Sequence, residues 1–115
     1  MWLNISGQAL TVDATVREHV ERRLGFALGR FGEHVGRVSV RLADVNGPRG
    51  GEDKLCRIVV EVLGHGRVVV EDADHDLTVA IDRAADRVGQ AVRRKLDRTR
   101  LYANLLGPTS PAGNN

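Results

Sequence analysis

The sequence contains a single cysteine, Cys56, and no long apolar run. One cysteine cannot form a disulfide within the chain, and unpaired thiols are typical of proteins in a reducing compartment. No apolar stretch approaches the roughly 18 residues of a membrane-spanning helix. The first ten residues, MWLNISGQAL, lack the basic start and the long apolar segment of a signal peptide. We therefore expect a cytoplasmic protein without a membrane partner.

Residues that carry catalysis are also scarce. The four histidines, His19, His34, His65 and His75, share no spacing, and no nucleophile is accompanied by a base. Aromatic residues make up only 3% of the chain, so we expect base stacking to contribute little to any nucleic-acid binding. The sequence predicts a protein that is not an enzyme, has no cofactor and takes no small-molecule substrate.

Two segments invite a ligand-binding interpretation. The acidic run EDADHD at residues 71–76 offers carboxylates to calcium or magnesium, but its spacing differs from that of an EF-hand loop. We favour the alternative that Asp74 or Asp76 caps the helix that follows. The glycine-rich segment at residues 46–53 lacks the G-x-x-x-x-G-K-[ST] pattern of a phosphate-binding loop, although Arg49 at its tip could contact a partner. The acidic run therefore does not predict a metal site, and the glycine-rich segment does not predict a phosphate-binding loop.

Basic residues are plentiful but are nearly balanced by acidic ones. The chain has 17 Lys and Arg against 15 Asp and Glu, which gives a formal net charge of +2. Fifteen of the 17 basic residues are Arg. The planar guanidinium group suits phosphate, although a GC-rich genome would produce the same bias. Any electrostatic argument must therefore rest on where the charge lies.

Hydrophobic periodicity predicts six elements in the order β-α-β-β-β-α. This order predicts an α+β fold, in which a four-stranded sheet carries both helices on one face. Residues 1–102 are expected to form one domain, and residues 103–115 a short disordered tail. The predicted strands span residues 2–7, 37–45, 55–63 and 67–71, with a tight turn at 64–66. The first predicted helix runs from its cap at Asp13 to Phe31 and is closed by Gly32, and the second runs from Leu77 to Arg100.

The same periodicity assigns directions to several side chains. Cys56 is predicted to point into the core, and Trp2 to point outward or lie near an edge. Arg37 and Arg41 alternate with valines, which predicts a strand with a basic outer face. Gly25 and Gly29 should weaken the first helix by roughly 1 kcal/mol each, and close packing is the interpretation that we favour for them.

The second predicted helix carries an unusual charge pattern. Spacing at 100° per residue places Arg83, Arg87, Arg94 and Arg98 within roughly 60° of one another, away from the apolar stripe. Like charges one turn apart repel unless something neutralises them, and a solvated helix more often intersperses the two signs. A phosphate backbone would neutralise such a stripe. The pattern leaves two alternatives open, an RNA or other polyanion surface and a plain solvent-exposed face.

Several stretches together resemble the family of ribosome hibernation promoting factor and ribosome-associated inhibitor A. LNISGQALTVDATVREHVERRL resembles the opening strand and helix of that family, and VSVRL fits its second strand. VVVEDADHDLTVAIDRAADRVGQAVRRKLDR fits the last strand, the acidic turn and the basic second helix. The resemblance covers about residues 1 to 100. Gln90, which stands where the family often has a basic residue, and the long segment at residues 46–53 depart from it.

The resemblance implies a bacterial cytoplasmic protein that binds the small ribosomal subunit, through 16S rRNA, in the channel for messenger and transfer RNA. Such binding inhibits translation and stores ribosomes during stress. Two alternatives remain open: a general module for structured RNA, and a protein-interaction domain that uses the exposed sheet face or the long loop. The positions matching the family's basic residues are Arg17, Arg23, Arg87, Arg94 and Arg98, and charge alone adds Arg83, Arg93 and Lys95.

Overall fold

A computed structural model of the chain describes the backbone of residues 1–45 and 53–105, with side chains up to Arg98. The predicted order of elements and the α+β fold are confirmed. The elements are β1 (Trp2–Gln8), α1 (Ala14–Leu28), β2 (Val35–Asp44), β3 (Lys54–Val62), β4 (Arg67–Asp74) and α2 (Leu77–Leu105), and a 3-10 helix spans Gly29–His34 between α1 and β2.

The four strands form one mixed sheet in the order β1-β2-β3-β4. β1 and β2 are parallel, so a crossover must join them, and α1 lies in that crossover. β2, β3 and β4 pair in antiparallel fashion. The turn between β3 and β4 places Gly64 at φ 79° and Gly66 at φ 85°, a backbone region that favours glycine.

The core lies between the sheet and the two helices. Alternation along β2 and β3 turns Val38, Val40, Ile58 and Val60 toward the helices, where each is at most 1% exposed. Full burial of such a side chain stabilises the fold by about 1.5–3 kcal/mol relative to leaving it in water. From the helices the core receives Val20, Leu24 and Leu28 of α1 and Ala80, Ile81, Ala84, Ala85, Val88 and Val92 of α2.

The first helix begins as predicted but ends earlier. Asp13 caps it, because its carboxylate accepts a hydrogen bond of 2.9 Å from the Val16 N–H. The α-helix stops at Leu28 rather than Phe31, and the chain tightens into the 3-10 segment. The predicted closure at Gly32 was wrong, since low helix propensity at Gly29 and Gly32 lets the α-helix give way first.

Close packing does not explain the glycines of α1. A Cβ added to Gly25 or Gly29 would meet nothing within 4 Å, so that interpretation was wrong. The glycine that packs closely is Gly89 of α2, where an added Cβ would lie 3.0 Å from the backbone oxygen of Ala27. Gly89 therefore sets the distance between the two helices.

The last strand is three residues longer than predicted, and this extension shapes the candidate site. β4 continues to Asp74, so Asp72 and Asp74 become part of the sheet, opposite Cys56 and Lys54 of β3. Alternation from the buried Val70 turns Asp72 toward the helices. Asp76 caps α2 by accepting a 2.9 Å hydrogen bond from the Thr78 N–H.

Two predicted segments fall wholly or mostly outside the described part of the chain. Residues 46–52, including Arg49, account for nearly all of the predicted loop, whose last residue, Asp53, is described. Of the predicted tail, residues 103–105 belong to α2, which extends five residues past the predicted end at Arg100, and residues 106–115 lie outside the described chain.

Candidate nucleic-acid interface

The second helix runs back along β4 and meets a different neighbour on each flank. Asp82 and Asp86 on one flank approach α1, whereas Arg83 and Arg87 on the other flank approach the end of β4. Lys95 lies beside the turn between β3 and β4, since a Cβ placed on Gly66 would be 3.9 Å from Lys95 Nζ. The position of an arginine along α2 therefore determines whether it contacts a carboxylate of β4.

Arg83 and Arg87 share one carboxylate at the end of β4. The Nη2 atom of Arg83 lies 3.0 Å from Asp72 Oδ1 and donates to the backbone oxygen of Ala73 at 2.8 Å. The Nη1 atom of Arg87 lies 3.3 Å from Asp72 Oδ2 and donates to the backbone oxygen of Glu71 at 2.7 Å. Asp72 is only 14% exposed, so both guanidinium groups are held against the sheet.

The first half of the arginine stripe, Arg83 and Arg87, is therefore neutralised within the chain. The sequence interpretation ended β4 at Glu71 and treated the following carboxylates as a helix cap. Once β4 reaches Asp74, the pleat aims Asp72 at the first turns of α2, within reach of both arginines. The acidic run thus supplies both the cap, through Asp76, and the neutralising charge, through Asp72 and, for Arg83, also through Asp74 at 3.3 Å.

The second half of the arginine stripe, Arg94 and Arg98, has different surroundings. Arg94 and Arg98 are exposed and form no ion pair with any residue that the structure describes. The helix continues ten residues beyond Lys95 to Leu105, which carries its axis about 15 Å past the turn at Gly66. Arg93, on the adjoining side of α2, lies 3.7 Å from Asp97 in an exposed i,i+4 pair, which stabilises a helix by only about 0.3–0.5 kcal/mol. Among the described residues of α2, the unpaired arginines are thus at the part of the helix that leaves the sheet.

The two predicted arginines of α1 differ in the same way. Arg23 joins the helices, since its Nη2 donates to Asp86 Oδ1 at 3.0 Å and its Nε lies 3.2 Å from Asp82 Oδ1. Nε2 of His19 donates to the same Asp82 oxygen at 2.6 Å. Arg17 is exposed, with no ion pair among the described residues. Arg23 is thus a helix–helix contact, and Arg17 is available to a ligand.

A second basic surface lies on the far side of the sheet and was not included in the predicted site. Arg41 of β2 and Arg57 of β3 stand directly opposite each other on the face away from the helices. Arg37 of the same face lies over the Trp2 ring, 5.0 Å from its centroid. The alternation of Arg37 and Arg41 with valines was the signal that could have identified this surface. The pairing with β3 could not be derived from the sequence, because the register across the long loop was unknown.

Groups that could support other chemistry are few among the described residues. No group of three or more His, Cys, Asp or Glu side chains in residues 1–45 and 53–98 is placed to hold a metal ion. Burial, with a smaller effect from the charge of Asp72, raises the pKa of the Cys56 thiol to about 12, which disfavours the reactive thiolate. Over the described part of the chain, no helix is long and apolar enough to cross a membrane.

Comparison with known proteins agrees with this architecture. Residues 3–100 match the model of the family described as Sigma 54 modulation protein / S30EA ribosomal protein. The crystal structure of the N-terminal domain of Thermus thermophilus Protein Y is similar, with a TM-score of 0.68 and 30% identity over 82% of this chain and 98% of that one. A ribosomal subunit interface protein from Coxiella burnetii has the same fold at 13% identity, with a TM-score of 0.69 over 84% and 99% of the two chains.

No curated protein sequence matches the chain. The family match nevertheless spans most of its length, and the Thermus thermophilus domain is similar over nearly its whole extent. Both findings confirm the resemblance that the sequence motifs indicated. The chain belongs to the Sigma 54 modulation protein / S30EA ribosomal protein family.

Proposed function

We propose that the protein is a ribosome-associated hibernation factor that occupies the channel for messenger and transfer RNA on the small ribosomal subunit. Family membership supports the association with ribosomes. The names of the similar structures, Protein Y and a ribosomal subunit interface protein, agree with it. The proposed mechanism is occupancy: a folded domain excludes the natural ligands of the channel and performs no chemistry. It implies a cytoplasmic protein whose partner is 16S rRNA.

The observation that carries this proposal is the cationic end of α2. Arg94 and Arg98 lie on one exposed side of a helix that extends past the sheet, and no described carboxylate neutralises them. A guanidinium group binds phosphate through two parallel hydrogen bonds, which gives it both affinity and orientation. A projecting, unneutralised helix end can enter a groove lined by ribosomal phosphates, where shape determines most of the fit.

The other predicted residues are proposed to contribute to RNA binding to different extents. Arg17 is unpaired among the described residues and is proposed to contact phosphate directly. The side chains of Arg83, Arg87 and Arg93 are about half exposed or more, so their ion pairs contribute little stability and can be exchanged for phosphate. Lys95 and Arg23 complete the proposed set, Lys95 beside the sheet turn and Arg23 at the helix–helix contact.

Charge reversal at the end of α2 tests the proposal. The double variant Arg94→Glu with Arg98→Glu should lower co-sedimentation with small subunits at least 100-fold, because two phosphate contacts become repulsive. The matched control, Arg94→Lys with Arg98→Lys, keeps the charge but loses the bidentate geometry, so its binding should lie between that of the unsubstituted protein and that of the Glu variant. Undiminished co-sedimentation of the Glu variant at low salt would refute the assignment of this surface.

Competition and salt separate the proposal from its alternatives. A ribosome factor should prefer intact small subunits strongly over bulk double-stranded RNA, whereas a general module for structured RNA would bind both alike. A protein-interaction domain would keep its partner as salt rises, whereas phosphate-driven association weakens steeply. Binding to small subunits that is insensitive to salt would therefore favour a protein partner.

A further inference from the structure

The outer face of the sheet is uncovered within the described part of the chain. Both helices pack on the inner face, and the register of the strands arranges the outward side chains in rows across the sheet. One row runs from Ser6 through Arg41 and Arg57 to Glu71. The charged side chains that point outward from the described strand residues are Arg37, Arg41, Arg57, Arg67, Glu61 and Glu71.

Positive charge on this face exceeds the negative charge that could neutralise it. Arg41 and Arg57 stand directly opposite each other, and like charges in that relation destabilise a sheet. Glu71 lies 2.8 Å from Arg57 Nη1 and therefore compensates one of the two. Arg41 itself forms no ion pair with any described residue. The position between the two guanidinium groups is thus suited to an anion.

The charge is combined with a concave surface. Three adjoining depressions of about 210, 250 and 580 Å³ cross the outer face, and Ser39 lines all three. Arg41, Arg57 and Ser6 line the smallest, and Trp2 lines the next. Together they form a shallow trough across the strands, which we call the outer trough, with hydroxyl and guanidinium donors along its floor.

An exposed aromatic ring lies at one end of the outer trough. Trp2 is 69% exposed on the edge strand β1, and the Arg37 guanidinium lies 5.0 Å from the centroid of its ring. An aromatic ring beside a guanidinium plane is a platform on which an unpaired base can stack, worth about 1–3 kcal/mol per base. A base held in a duplex cannot reach such a platform, since both of its faces are already stacked.

We propose that the outer trough binds an unpaired RNA strand, with a phosphate between Arg41 and Arg57 and a base against Trp2 and Arg37. Ser39 and Ser6 are placed to hydrogen-bond the sugar or the base edge. An acidic polypeptide would meet the arginines equally well but would leave Trp2 without a stacking partner, so the observations favour the polynucleotide. This surface lies on the opposite side of the sheet from α2, and the inference does not depend on the proposed function.

The single tryptophan provides a direct measurement. Trp2 is the only tryptophan of the chain, so its emission reports on the outer trough alone. Titration with an unlabelled ten-nucleotide uridine RNA at about 20 mM salt should quench or shift that emission. Arg41→Ala should weaken the binding about tenfold and make the slope of log affinity against log salt shallower by about 0.7, the change expected for one lost phosphate contact to a single strand.

Two variants on the helix side serve as controls. Arg22→Ala removes an exposed arginine from α1, and Arg94→Glu with Arg98→Glu reverses the end of α2. Both should leave the Trp2 signal intact, even where the second abolishes co-sedimentation with small subunits. Failure of the outer trough and failure of the proposed function therefore appear in different measurements.

Several results would overturn the inference. One is the absence of any change in Trp2 emission, and another is a change that Arg41→Ala leaves as it was. An equal response to a uridine-free RNA hairpin of matched charge would show that the trough does not select unpaired strands. An equal response to a nine-residue glutamate peptide would assign the face to acidic proteins instead.

Discussion

At the scale of single residues, the pairing of each arginine determines its role more than its position in the stripe. Arg83 and Arg94 lie within about 20° of each other on the helical wheel, yet only Arg83 meets Asp72. A buried or half-buried carboxylate converts a potential phosphate contact into a contact within the fold. Asp72, which contacts both Arg83 and Arg87, is therefore the carboxylate that most limits the cationic surface of α2, and Asp74 adds a 3.3 Å contact to Arg83.

Removing the charge of Asp72 should therefore enlarge the cationic surface of α2. Asp72→Asn keeps the shape of the side chain but removes the charge shared by Arg83 and Arg87. We expect affinity for structured RNA to rise and its salt dependence to steepen by up to about one unit, because Arg87 is released whereas Arg83 keeps its 3.3 Å contact with Asp74. The free energy of unfolding should fall by less than about 1 kcal/mol, because the arginines of the lost ion pairs are about half exposed.

Asp97→Asn is the matched control for this substitution. Among the side chains that the structure describes, Asp97 pairs only with Arg93, at 3.7 Å on an exposed helix surface, so its loss should change RNA affinity and stability little. Fluorescence anisotropy over a salt series measures the RNA affinity, and thermal unfolding measures the stability. If Asp72→Asn binds RNA no better than the Asp97→Asn protein, Asp72 does not restrain the two arginines.

At the scale of the elements, the two helices are held at a distance that one glycine sets. Gly89 brings α2 against Ala27, whereas Gly25 faces open space. The same substitution should therefore have different effects at the two positions. This contrast separates intrinsic helix propensity from packing within one protein.

Gly25→Ala should stabilise the protein by about 0.5–1 kcal/mol, because alanine is the better helix former and nothing obstructs its methyl group. Gly89→Ala should be at least about 1 kcal/mol less stable than Gly25→Ala, since its methyl group would press on the backbone of Ala27. Chemical denaturation of the two variants measures the difference. Equal stabilisation of both would show that the helices separate without resistance.

The elements themselves were largely predictable, and their ends were not. The alternation of Val38, Val40 and Leu42 and the spacing of Val20, Leu24 and Leu28 recur in the structure as buried faces. The end of β4 was missed because Asp72 and Asp74 have low strand propensity, and pairing with β3 overrides that propensity. The end of α1 was missed because propensity at Gly29 is a local signal that the apolar stripe obscured.

The arginine stripe of α2 could be identified from the sequence, but the contacts of its members could not. Sequence spacing correctly grouped the four arginines of the stripe on one side of α2. It could not show that the longer β4 would neutralise Arg83 and Arg87, because such a contact depends on the position of one element against another. The opposition of Arg41 and Arg57 was likewise hidden, since it depends on a strand register that no local pattern contains.

At the scale of the whole molecule, the sheet separates two surfaces with different charge arrangements. The helix side presents a projecting cationic end that suits the phosphates of a folded RNA. The outer trough combines opposed arginines with one exposed aromatic ring, which suits an unpaired strand. If both proposals hold, the domain contacts folded RNA with one side and unpaired RNA with the other.

We propose that the end of α2 contacts ribosomal phosphates within the channel for messenger and transfer RNA. A cryo-EM reconstruction of the protein bound to small ribosomal subunits tests this claim most directly. We expect density for the domain in that channel, with the guanidinium groups of Arg94 and Arg98 within about 3 Å of 16S rRNA phosphate oxygens. Density for the domain elsewhere on the subunit, or an α2 whose end points into solvent, would contradict it.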